Sequence, residues 1–236
     1  MARLIFDIET VGVDFDSLDT ITQNSLTWWI KEESKDESEY QKTLEGLKER
    51  LGFSPLTGEI VAIGVLDYEK NQGVVYFQAP EMNLLDFEES NFKFKPMREK
   101  EMLELFWNGA QKYGEFISFN GRAFDAPFLA IRSAIHGVRP TVDLEQGRYL
   151  YQQRSVKHID LLDQLTFYGA LAKKGNLHLW TRAFGIKSPK QDGISGDDVG
   201  QLFKEKKFSE IAHYNTGDLI ATKELYDYWQ KYLRFD

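Results

Sequence analysis

At 236 residues the chain is long enough to bury a substantial core, and without a long Pro, Gly or Ser linker it is expected to form a single domain spanning 1–236. Zero cysteines exclude disulfides and thiolate metal sites, so a bound metal would need oxygen or imidazole ligands. A net charge of -8 argues against broad duplex binding through many phosphate contacts, and no apolar run approaches the roughly 20 residues of a membrane span.

The N-terminal MARLIFDIET passes from one Arg straight into a strand-like run. It lacks the apolar region of about 7 to 15 residues and the cleavage site of a secretory signal, so a cytoplasmic location is expected. Arg3 to Ile8 reads as a buried strand, and the nearly continuous apolar run IVAIGVL at Ile60 to Leu66 as a second. VVYFQAP, from Val74, is a third, and the polar DYEKNQG between them predicts an antiparallel hairpin. The charged stretch 14–54 has helical spacing and alternating charge signs, which predicts a helical insertion beside the sheet. Its adjacent Trp28 and Trp29 are expected to anchor in the neighbouring core rather than stack on a base.

From Met97 the pattern is helical through Tyr113. EFISFN then supplies a fourth strand, and FDAPFLAIRSAIHG a helix that stops at Gly137. KHIDLLDQL, from Lys157, predicts a fifth strand running into a helix, and FSEIAHYNTGDLIATKELYDYWQKYL closes the chain as a helix. Early strands followed by alternating helix and strand imply an α/β fold, a mixed five-stranded sheet flanked by helices.

Three acidic elements stand out along this frame. In FDIET, Asp7 and Glu9 are two apart on a strand and therefore project from one face. Two carboxylates so close repel unless a cation lies between them, and Mg2+ or Mn2+ prefers such hard oxygen ligands. In FNGRAFDAPFL, Asp125 falls at a helix start just beyond a strand end, where ligands gather in open α/β sheets; a helix N-cap is its structural alternative. In HYNTGDL, Tyr214 and Asp218 are four apart and share one helical face.

Together and in this order, FDIET, FNGRAFDAPFL and YNTGD resemble the three exonuclease motifs of the DEDD superfamily, in its tyrosine subclass. Nearest in likeness are stand-alone exonucleases related to the proofreading domain of family B DNA polymerases. The resemblance implies a ribonuclease-H-like fold and 3'-5' removal of nucleoside 5'-monophosphates from single-stranded DNA ends. It also implies two divalent cations, Mg2+ or Mn2+, held by Asp7, Glu9, Asp125 and Asp218, with Tyr214 orienting the attacking water. Thr10, Asn120 and Phe124 are candidate contacts to the terminal nucleotide, and Lys187 and Lys190 to a phosphate. Asp160 is a further acidic candidate, whereas His213 lies about 100 degrees round the helix from Tyr214. Competing readings are an exonuclease for RNA or short oligonucleotides, and a catalytically silent nucleic-acid-binding module. A replication or repair partner stays unidentified.

Overall fold

The alternation in RLIFDIETVG builds the centre of the fold. In β1 (Arg3–Gly12), Leu4, Phe6 and Ile8 point into one apolar core and Ile5 and Val11 into another, so the strand is sandwiched on both faces. The computed structural model describes residues 1–188 and 195–235. The other strands are β2 (Gly58–Asp67), β3 (Gln72–Phe77), β4 (Phe87–Glu89), β5 (Phe92–Pro96), β6 (Glu115–Ser118) and β7 (Lys157–Asp160). They form one sheet in the order β4-β5-β3-β2-β1-β6-β7. β1 runs antiparallel to β2 and parallel to β6, and β6 parallel to β7, so the sheet is mixed and its α/β class is as expected.

The described residues give seven strands where five are expected. The added pair is a hairpin whose strands have three and five residues. Phe92 and Phe94 are buried, with Lys93 exposed between them. So short an alternation carries little signal of its own. Its strands are held by parallel pairing of β5 with β3 and by the stacked rings of Phe87 and Phe94, 4.6 Å apart.

The α-helices among the described residues are α1 (Thr20–Glu33), α2 (Glu37–Arg50), α3 (Glu99–Ala110), α4 (Asp125–Ile135), α5 (Leu161–Leu165), α6 (Leu177–Ala183), α7 (Val199–Lys204) and α8 (Phe208–Tyr232). Within the stretch 14–54, Asp19 caps α1 by accepting from Ile21 and Thr22, and Asp36 caps α2 by accepting from Glu39. The structure corrects the expected anchoring at Trp28, while Trp29 is half-buried. α1 buries Thr27 and Ile30, which are i and i+3, and leaves Trp28 59% exposed, because one residue further on turns the side chain about 100 degrees away. No helix among the described residues is long and apolar enough to cross a membrane.

Two helix groups cover the sheet. Met102, Leu103 and Phe106 of α3 and Phe128 and Leu129 of α4 pack on the Leu4, Phe6 and Ile8 face. Ile211, Leu219 and Leu225 of α8 pack on the Ile5 face. α8 lies close against Gly64 of β2, which pairs with Asp7. A Cβ on Gly64 would lie 1.8 Å from Asn215 Oδ1 and 2.7 Å from Leu219 Cδ1, so only glycine admits the helix at this depth.

Candidate active site

Because Asp7 and Glu9 are in phase with Ile5 and Val11, both carboxylates face α8. There they meet Asp218. One carboxylate oxygen from each of Asp7, Glu9 and Asp218 lies within 4.8 Å of the others. Glu9 is buried, and Asp7 and Asp218 are half-buried. Among the described residues no Lys, Arg or His pairs with Asp7, Glu9 or Asp125. Three clustered carboxylates on rigid elements, offering oxygen donors only, form a donor set suited to a hard divalent ion.

Asp125 approaches from the opposite layer and is not one of the three within 4.8 Å. It is the first residue of α4, and Phe124 occupies the N-cap position, so the capping alternative for Asp125 does not hold. Its Oδ1 accepts a 3.0 Å hydrogen bond from the backbone N–H of Ile8. The reason is topological: β6 pairs with β1 only from Arg3 to Ile5, so the N–H of Ile8 lies beyond that ladder and needs another acceptor.

The electrostatics follow from this crowding. Burial pushes the Asp7 carboxyl well above its ordinary range, and the charges of Asp125, Glu9 and Asp218 add to the push. Glu9 moves the same way, through burial and then Asp218. Burial raises Asp125 to about 7 against the opposing hydrogen bond from Ile8. The Tyr214 phenol is also driven upward, by burial and then by Asp218, Glu9 and Asp7. Its side chain hydrogen-bonds Asp218, as the i, i+4 spacing allows.

The other expected residues are found in different states. Thr10 donates its hydroxyl hydrogen to the Gly52 carbonyl at 2.7 Å, tying β1 to the segment after α2. Asn120 sits in the left-handed region at φ 63, in the turn leading to α4. That turn is held by Asp160, which is buried and accepts from the N–H groups of Asn120, Arg122 and Leu162. Phe124 is half-buried, its ring 5.4 Å from Phe128 and 6.4 Å from Phe53. His213 turns away from the carboxylates, bonding Glu89 at 3.0 Å and packing on Phe94. Lys187 is exposed, and Lys190 lies outside the described residues.

One residue the motifs did not single out is in the site. Asn215, fully buried, donates from Nδ2 to Asp7 Oδ2 at 2.7 Å. Its only sequence signal is its place beside Tyr214, on the face of α8 that also carries Leu219. A second polar pair looks catalytic but is not. Ser118 Oγ and His158 Nε2 are 2.8 Å apart, yet both residues are buried and His158 Nδ1 meets the Leu144 carbonyl, not a carboxylate. Burial lowers His158 to about 4, so the ring is neutral and fastens β6 to β7.

Against known proteins, residues 56–235 match a family model described as a predicted 3'-5' exonuclease related to the exonuclease domain of PolB. The match contains Asp125, Tyr214 and Asp218 and begins after FDIET. No curated protein sequence matches the chain. Among solved structures, the family B DNA polymerase from the hyperthermophilic archaeon Pyrobaculum calidifontis is similar, with a TM-score of 0.58 and 17% identity. The similarity covers 97% of this chain but 24% of the polymerase, a likeness of fold.

Proposed function

Since the chain belongs to the family of predicted 3'-5' exonucleases related to the exonuclease domain of PolB, we propose that it removes nucleoside 5'-monophosphates from single-stranded DNA 3' ends by metal-dependent hydrolysis. The observation that carries this reading is the convergence of Asp7, Glu9 and Asp218 within 4.8 Å. Two divalent cations, Mg2+ or Mn2+, would be held by these three and Asp125. When bound, such cations lower the pKa of water and neutralise charge developing at a phosphate. We further read 1–236 as one exonuclease domain with the helical insertion at 14–54.

The chain's own residues supply positioning. Tyr214 keeps its proton, because its phenol is pushed upward, so it orients the attacking water by hydrogen bond and does not serve as the base. Water attacks the terminal phosphorus, the P–O3' bond breaks, and the 3'-oxygen leaves with a proton. Thr10, Asn120 and Phe124 are the residues we assign to the terminal nucleotide. Of these, the half-buried ring of Phe124 is the one with a face for a base.

The test is a 5'-labelled single-stranded DNA incubated with purified protein and Mg2+ or Mn2+, beside a matched RNA. Stepwise shortening of DNA from the 3' end, abolished in Asp7→Ala, is expected. Shortening of RNA alone would move the substrate class. Binding without any turnover would sink the enzymatic reading.

A further inference from the structure

The Asn215 amide is placed where a helix side chain can reach a strand carboxylate only because β2 lacks a side chain. Gly64, the β-pair partner of Asp7, leaves a gap that Asn215 fills, and Nδ2 crosses it to Asp7 Oδ2 at 2.7 Å. At the other end of the amide, Oδ1 is buried with no hydrogen-bond partner among the described residues. An unsatisfied buried carbonyl is a cost to the fold, and an apolar side chain would avoid it. What an apolar side chain cannot do is donate to Asp7.

Resting on the nuclease reading above, we infer that Asn215 is a positioning residue that fixes the Asp7 carboxylate toward Glu9 and Asp218 for cation binding. Without the amide, Asp7 turns away from neighbours of like charge, and the donor set loses its preformed arrangement. The direct contact of Asn215 is with Asp7 and not with substrate, so its effect on the reaction passes through the carboxylate.

The experiment measures Mn2+ binding by electron paramagnetic resonance on the wild type and Asn215→Leu, with thermal unfolding of both in metal-free buffer. Asn215→Ala, which leaves a small void, serves should leucine fail to fit beside Gly64. Folded variants are expected to bind Mn2+ about 10- to 100-fold more weakly, and excess Mn2+ should restore much of the DNA-shortening rate. A merely structural role would lower the unfolding midpoint and leave Mn2+ affinity of the folded protein unchanged, and that result overturns the inference. Equal binding by variant and wild type, with an active wild type, sinks the role of Asn215 alone. A wild type that binds no Mn2+ sinks the nuclease reading and this inference with it.

Discussion

At Tyr214, burial and three neighbouring carboxylates act in one direction, against ionisation. A phenol so placed donates a hydrogen bond across the whole physiological pH range. Tyr214→Phe keeps the ring and removes only that donor. It is expected to lower kcat by on the order of a hundredfold, the size of effect seen when one aligned donor is lost from an active site. Mn2+ affinity should fall far less than kcat, since the phenylalanine removes a hydrogen bond to Asp218 but no carboxylate. Single-turnover cleavage beside a Mn2+ titration separates the two, and a large loss of affinity would instead make Tyr214 part of the cation site.

Among the elements, α3 and α4 are locked to β2 through Glu99. This buried carboxylate accepts from the Ile60 N–H at 2.8 Å, from Arg132 Nε at 2.8 Å and Nη2 at 2.6 Å, and pairs with His136 at 2.6 Å. Burial alone would raise its pKa, but Arg132, the Ile60 N–H and His136 outweigh it and hold the group below its ordinary value. A depressed folded pKa adds stability above the unfolded value, and that stability is lost as pH falls through the folded one. Glu99→Gln leaves the Arg132 charge without its partner and is expected to cost about 2 to 3 kcal/mol in urea unfolding at pH 7, less at pH 4. Cleavage per folded molecule should change little, because Arg132 lies about two helical turns along α4 from Asp125. An equal cost at both pH values would show that charge contributes nothing to it.

Over the whole molecule, a net charge of -8 leaves substrate attraction to a local site, and that site itself gathers three carboxylates within 4.8 Å. Glu9 has a raised folded pKa, so the stability it contributes is present below its unfolded value and is lost as pH rises through the folded one. His158 runs the other way, its folded value near 4 making the neutral ring stabilising toward neutral pH. Comparison of Glu9→Gln with the wild type isolates the first effect. Metal-free Glu9→Gln is expected to melt higher than the wild type by about 2 to 4 °C at pH 8, equivalent to roughly 1 kcal/mol in a chain of this size. Mg2+ should raise the wild-type melting temperature and leave that of the variant almost fixed. A variant that melts lower in metal-free buffer would show that burial of Glu9 carries no repulsive cost.

Local period is legible in the residues alone, and it was enough to assemble the parts of the candidate site. Asp7 and Glu9 two apart had to share a strand face, Tyr214 and Asp218 four apart had to share a helix face, and the hairpin of β2 and β3 came from a polar, Gly-ended connection. Which faces meet is a matter of packing. Asp125 contacts Ile8 across 117 positions and Asn215 contacts Asp7 across 208, separations at which no local pattern records a partner. Each depends on something missing from another element: the end of the β6 ladder frees the Ile8 N–H, and the absent Cβ of Gly64 opens the gap that Asn215 fills. The short β4 and β5 likewise form only because β3 offers an edge and α8 a surface. Pairing and burial, not propensity, supply their stability.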